Sequence, residues 1–289
     1  MKISSPKVTL ITGATSGIGL AAATGLAGED HIIIGVGRSQ ERINAARQTV
    51  LTKYPEADIN YLLADLSSQM QIHNLVKETG KLLRARKLDH IDVLVNNAGA
   101  VSSWFTLTED GYELQFAVNH LAPFLLTHEL LPLLKKSRQA RVLTTSSASH
   151  RNTRMHWKDV MLQKRYGTLR AYKQSKLANV LFTYELNRRL GPDSPITAFA
   201  VDPGLVNTSI GEKGTSGFVN WFWKKRSSKG NPPVIAAETI VYLASRREIP
   251  YKDAYYWKEC HPIPPSHYSQ KKEPAARLWE LSNRLCGID

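Results

Sequence analysis

Tyr172 and Lys176 stand four positions apart in the run Tyr172-Lys173-Gln174-Ser175-Lys176, at the head of a helix-length segment. On a helix that spacing puts both side chains on one face, one turn apart. A free phenol titrates near about 10 and exchanges protons poorly at neutral pH, but a neighbouring ammonium favours the phenolate and lowers that value. Tyr/Lys pairs at this spacing also arise in helices that do no chemistry, so the pair needs further residues to mean anything.

A second stretch supplies some of them. Thr12-Gly13-Ala14-Thr15-Ser16-Gly17-Ile18-Gly19 is a glycine-spaced turn between an apolar strand-like run and a helical one. Glycines there permit a tight turn and close approach of a pyrophosphate to the amide N–H groups at the helix N-terminus, where the dipole favours anions. Gly13, Thr15, Ser16, Gly17, Ile18 and Gly19 are therefore the expected phosphate cradle; a ligand-free turn is the competing reading. The next strand-like run ends in Gly37-Arg38-Ser39, with no carboxylate where a ribose 2′-hydroxyl acceptor would sit. An arginine there offers charge-assisted bonds to a 2′-phosphate, which favours NADP(H) over NAD(H), unless Arg38 is simply solvated. Asp65-Leu66 closes a third such run; it meets the adenine, or Asp65 caps the following helix.

Positioning these groups requires a regular scaffold, and the pattern supplies one. Short apolar runs at Val8–Ile11, Ile32–Val36, Ile59–Leu62, Val93–Val95, Val142–Thr145 and Thr197–Val201 read as strands covered on both faces. They alternate with helix-length segments at Ile18–Ala27, Glu41–Tyr54, Gln69–Ala85, Glu109–Leu134 and Leu169–Leu190. Asn231-Pro232 reads as N-cap and first residue of a further helix to Ser245, and Pro274 as the opening of a last one closed by Gly287. The fold class expected is α/β: a doubly wound, mostly parallel sheet of Rossmann type with helices on both faces, one domain over 1–289. Segments 150–168 and 205–231 break the rhythm on the side where such sheets bind ligands, so both are expected as substrate-side loops.

The order and spacing of six motifs resemble the short-chain dehydrogenase/reductase superfamily over nearly the whole chain: the Thr12–Gly19 turn, Asn96-Asn97-Ala98-Gly99, Asn119, Ser147, Tyr172 with Lys176, and Pro203-Gly204. Val118-Asn119-His120-Leu121, Ser146-Ser147-Ala148-Ser149-His150 and Ser175-Lys176-Leu177-Ala178-Asn179 resemble its retinol dehydrogenase-like branch in particular. The resemblance implies a carbonyl–alcohol oxidoreductase in which Tyr172 transfers the proton and Lys176 holds the nicotinamide ribose and lowers the Tyr172 pKa. Ser147 would hydrogen-bond the substrate oxygen where charge develops. Asn119 would bind a water linking Lys176 to solvent. It implies, too, that Asn96 meets the adenosine ribose side through its backbone, that Ala98 and Gly99 line the groove, that Pro203, Gly204 and Val206 pass under the nicotinamide, and that Thr208 bonds its carboxamide. Ser147 and Tyr172 are 25 positions apart because a basic insert intervenes, as it does in that branch.

The 289 residues are 42% hydrophobic and 22% charged, enough for one well-buried core, and Lys+Arg exceed Asp+Glu by 38 to 25. Between Lys135 and Lys176 twelve Lys/Arg face one acid, Asp159. A solvated basic face or a field steering a polyanionic cofactor accounts for this; nucleic acid is not expected, because no recognition motif accompanies the charge. Two cysteines exclude a disulfide framework and fit a reducing compartment. With neither signal peptide nor transmembrane run, a cytosolic or membrane-peripheral protein is expected, of undecided oligomeric state, acting on an apolar small molecule. Trp221-Phe222-Trp223-Lys224-Lys225-Arg226 is expected to close over that substrate and touch anionic lipid, unless its rings complete the core. No metal is expected. A non-catalytic dinucleotide sensor or scaffold is the alternative, and a lyase or epimerase with bound nicotinamide a third.

Overall fold

In a computed structural model, which describes residues 6–207, 230–251 and 253–288, the apolar runs form one sheet. Its strands are β1 Val8–Thr12, β2 Ile32–Gly37, β3 Ile59–Leu63, β4 Val93–Asn96, β5 Ala140–Thr145, β6 Ile196–Asp202, β7 Tyr256–Lys258 and β8 His261–Pro262. They lie in the order β3-β2-β1-β4-β5-β6-β7-β8, all parallel except the β7–β8 hairpin. The order reverses between β1 and β4, which opens a crevice at their carboxyl ends.

Side chains alternate along each strand, and that alternation divides the core in two. Leu10, Ile34, Val36, Leu94 and Val142 pack under α3 (Gln69–Ala85), α5 (Ala122–Leu134) and α6 (Thr168–Leu190). Ile11, Ile33, Val93, Val95 and Leu143 pack under α1 (Gly17–Ala27), α2 (Gln40–Lys53) and α7 (Pro233–Ser245). The last helix, α8 (Lys272–Leu285), lays Trp279 against Phe124 and Phe182 with ring centroids 4.9 and 6.0 Å apart. The doubly wound architecture expected from the pattern is the one observed.

Five local elements differ from those expected. The segment expected to be helical from Glu109 begins only at Leu114, as α4 (Leu114–Phe116), because Gly111 turns the chain at φ +80° and Glu113 caps the Gln115 and Phe116 amides at 2.9 and 2.8 Å. A π-helical segment, Ala117–Leu121, then joins α4 to α5. Pro232 is the cap of α7 and Pro233 its first residue, one position beyond the expected pair. Helix α8 starts at Lys272, with Pro274 in its first turn. Strands β7 and β8 were not legible: they are three and two residues long, and Glu259 and Cys260 turn between them at φ 51° and 60° without the Asn or Gly that marks such turns.

Three histidines are buried neutral. Burial lowers His31 to about 4 and His120 to about 3, and lowers His150 as well. Their native values lie below the unfolded one, so the stability they confer is complete above about 6.5 and is lost as pH falls toward 4, at up to about 1.4 kcal/mol per pH unit for each group. Urea-unfolding free energies measured from pH 7.5 to 5 are expected to fall accordingly, and His31→Gln to flatten the slope by about one proton. A flat profile would contradict the burial argument.

Candidate active site

The phosphate turn is held from beneath. Thr12 Oγ1 accepts the Asn97 and Ala98 amides, each at 3.0 Å, while Asn97 Nδ2 donates to the Thr12 carbonyl at 3.1 Å. This knot joins the ends of β1 and β4 at the mouth of the crevice. Gly13 and Gly17 have φ of +67° and +55°, and a Cβ on Gly19 would lie 2.2 Å from the Gly13 carbonyl oxygen and 2.5 Å from Asn97 Nδ2. Helix α1 has no acid in its first turn, so its positive end remains available to an anion.

A continuous cleft of about 700 Å³ runs from this turn across the carboxyl edge of the sheet. Gly13, Thr15, Ser16, Gly17, Ile18, Arg38, Asp65, Leu66, Ala98, Gly99, Ser147, Tyr172, Lys176, Pro203, Gly204 and Val206 line it. Gly19 does not line it but supports the turn. Asn96 is also set back: it is buried in β4 and donates to Thr127 Oγ1 at 2.9 Å, and the next residue, Asn97, faces the cleft instead. Thr208 and Trp221–Arg226 lie outside the described residues.

At one end of the cleft Arg38 is joined by Arg42, which sequence reasoning missed. Its signal was available: Ser39 caps α2 by accepting the Arg42 amide at 3.4 Å, which returns residue 42 to the side of Arg38. Both guanidinium groups are exposed, and neither forms an ion pair with a described residue. Asp65 holds Ser67 N and Oγ at 2.9 and 2.8 Å, whereas Ser68 caps α3, so Asp65 shapes the cleft wall rather than the helix end.

At the other end α6 delivers Tyr172 and Lys176 together. Lys176 is fully buried, donates to the Thr145 carbonyl at 3.0 Å, and has its Nζ 5.7 Å from the Tyr172 ring centre. Burial lowers its pKa to about 8. Ser146 Oγ donates to the Lys176 carbonyl at 2.9 Å and Asn179 Nδ2 to the Thr145 carbonyl at 3.0 Å, which fixes α6 on the end of β5. Ser147 caps a short 3₁₀ turn, its Oγ accepting the Ser149 amide at 3.2 Å, and this leaves its hydroxyl hydrogen for the cleft.

Asn119 sits in the π-helical segment outside the cleft lining. Its Oδ1 accepts Ala100 N at 2.7 Å, and its Nδ2 donates to Ala100 O and Ser175 Oγ, each at 3.0 Å. Both amide hydrogens are thereby used, so the side chain ties the β4 exit loop to α6. The only side-chain capacity left for a relay water is the second lone pair of Oδ1.

The basic insert packs onto this framework. Gln115 Nε2 donates to Tyr166 Oη at 2.7 Å, Tyr166 donates to Ser102 O at 2.8 Å, and Gln174 holds His156 N and Val160 O. The ends of the other long segment meet where Asn231 N donates to Leu205 O at 2.8 Å and Asn207 N to Asn231 O at 3.0 Å.

A short chain dehydrogenase family model matches residues 7–217. The chain belongs to the short-chain dehydrogenases. Human retinol dehydrogenase 11 is 33% identical over 282 residues, covering 98% of this chain and 86% of that protein. Human retinol dehydrogenase 13 is 35% identical over 294 residues, covering 98% and 85%. An uncharacterized protein from Mycobacterium paratuberculosis shares the fold with TM-score 0.76 and 30% identity, covering 98% of this chain and 96% of that one. A metagenomic short-chain oxidoreductase in complex with NADP aligns with TM-score 0.63 at 21% identity, covering 91% and 99%. The protein is thus an oxidoreductase acting on CH–OH groups, in the retinol dehydrogenase-like branch.

Because Tyr172 lines the cleft while Lys176 is anchored independently by Thr145, the two are separable by mutation. Tyr172→Phe is expected to keep nicotinamide-dinucleotide binding by fluorescence titration and to lose turnover by roughly 10²–10⁴. Lys176→Met should damage both. Near-normal turnover in the Phe variant would require another acid.

Proposed function

We propose that the protein is an NADP(H)-dependent oxidoreductase interconverting a carbonyl and an alcohol on an apolar, retinoid-like or lipid-derived substrate. One observation carries the reading: a single cleft has at one end two arginines that form no ion pair with a described residue, and a Tyr–Lys pair with a serine at the other. The residues fit a dinucleotide. Gly19 leaves the space that a Cβ would fill, and Lys176 is a buried ammonium with three hydrogens and, among the described residues, only the Thr145 carbonyl as a hydrogen-bond partner. Arg38 and Arg42 would hold a 2′-phosphate, the Gly13–Ile18 turn the pyrophosphate, and Lys176 the nicotinamide ribose. When bound, the dinucleotide supplies or accepts the hydride.

The chain's own residues handle the proton. The Tyr172 phenol donates to the carbonyl oxygen during reduction, and its phenolate takes the proton from the alcohol during oxidation. The Lys176 ammonium beside the ring favours that phenolate. Ser147 donates its hydroxyl hydrogen to the same oxygen as negative charge develops there. Val101, Leu114, Val118 and Leu205 make the substrate end of the cleft apolar. The names of the human relatives support the same substrate class. In this reading 1–289 is one oxidoreductase domain, with segments 150–168 and 205–231 as its substrate-side loops. The setting is cytosolic or membrane-peripheral; among the described residues no helix is long and apolar enough to cross a membrane.

The test is a carbonyl panel, retinal and long-chain aldehydes against small ketones and quinones, run with NADPH and NADH in parallel. A charged hydrogen bond contributes about 1.5–3 kcal/mol, so NADPH should be preferred on the order of ten- to a hundredfold. Arg38→Asp should shrink or invert the preference, and Arg42→Ala should reduce it. Equal efficiency with both dinucleotides in the unmodified protein would overturn the NADP(H) assignment.

A further inference from the structure

His150 is wholly buried, three residues beyond Ser147, and every polar atom of its ring has a partner. Its Nδ1 lies 2.8 Å from the Ser147 carbonyl, which also accepts the His150 amide at 3.0 Å. Its Nε2 lies 3.0 Å from the Ser266 amide nitrogen. A carbonyl only accepts and an amide N–H only donates, so the ring carries its proton on Nδ1 and presents a lone pair at Nε2. One imidazole therefore spans from the peptide of the cleft serine to the C-terminal segment that precedes α8.

The contact continues across the sheet. The His150 ring packs on Tyr256 of β7 with centroids 4.9 Å apart. Tyr256 donates its hydroxyl to Asp202 Oδ2 at 2.8 Å, and Asp202 Oδ1 accepts the Gly204 amide at 3.0 Å. Gly204, at φ +73°, forms the turn after β6, the strand paired with the β5 that leads into Ser147, and both residues line the cleft. Two loops leaving different strands are thus cross-braced by buried groups, His150, Tyr256 and Asp202. None of the three has a place in the proton transfer itself.

We propose that His150 is a positioning residue for Ser147, and that His150, Tyr256 and Asp202 form a brace fixing the Ser147 hydroxyl relative to the Pro203-Gly204 turn. The inference rests on the oxidoreductase reading for its kinetic consequence, but its structural content stands apart from activity. The brace works with the imidazole neutral, since a second ring proton would confront the Ser266 N–H. The charged and titratable groups facing the ring are Asp202 from β6, Tyr256 from β7 and Arg151 from its own loop.

Two amide substitutions separate the two bonds of the ring. Asn places its Nδ2 where His has Nδ1, whereas Gln reaches the position of Nε2. In the full-length protein, His150→Phe and His150→Gln are expected to lower kcat roughly 10- to 100-fold, as small displacements of reacting groups do, with the KM for NADPH changed less than threefold. His150→Asn should recover kcat to within about fivefold of the parent while its thermal midpoint falls as far as that of the Gln variant. Hydrogen exchange of the Ser149 and His150 amides should stay slow in the Asn variant and accelerate in the other two. Equal kcat losses for Asn and Gln that track their thermal midpoints, or unchanged exchange in all three, would overturn the proposal. A parent protein inert toward every carbonyl in the panel would count against the oxidoreductase reading, and the exchange comparison would still decide the brace.

Discussion

A fully buried ammonium on a backbone carbonyl is the constraint around which the site is built. Lys176 gives up its hydration for one hydrogen bond to Thr145 and has no carboxylate partner among the described residues. Burial of that kind is costly, and Lys176 shows the cost as a pKa lowered to about 8. The surroundings offset it by fixing the carbonyl: Asn179 shares Thr145 O, and Ser146 ties the Lys176 peptide back to the end of β5. With α6 held against β5 in this register, Tyr172 is carried one turn toward the cleft and Ser147 begins the loop beside it.

A second constraint acts at the opposite end of the same crevice. The sheet order reverses between β1 and β4, and Thr12 closes that gap by accepting two amides from the β4 exit. The glycine turn can then lie close to the β4 exit because Gly13, against Ala98, and Gly19, against Asn97, lack side chains. Asn119 links the β4 exit loop onward to α6 through Ala100 and Ser175, so the glycine turn and the Tyr172–Lys176 pair belong to one bonded framework. The π-helical segment places Asn119 to make these bonds.

Much of this was legible because the signals were chemical or periodic. Central strands buried on both faces are continuous apolar runs, the glycine turn has a steric reason for each spacing, and a four-residue spacing on a helix brings Tyr172 and Lys176 together. What escaped depended on one-residue choices or on contacts distant in sequence. Asn96 and Asn97 are chemically alike, and only the strand's alternation decides that the second faces the cleft. The late start of α4 follows from Gly111 and the Glu113 cap, which an acidic, helix-compatible stretch conceals. The β7–β8 hairpin lacks turn residues in its sequence, yet β7 brings Tyr256 to Asp202 and His150. Arg42 was readable only once α2 was known to start after Ser39.

The account's central claim is that the two ends of the cleft act on one reaction, with a carbonyl carbon at the Tyr172–Ser147 end receiving the cofactor's hydrogen. The most direct measurement follows the label from NADPH deuterated at the nicotinamide C4 position, one epimer at a time, into an aldehyde or ketone reduced by the purified protein. One epimer should deliver one deuterium to the carbinol carbon per NADPH consumed, and the other epimer none. Product formed without label from either epimer, or without net NADPH consumption, would contradict the claim.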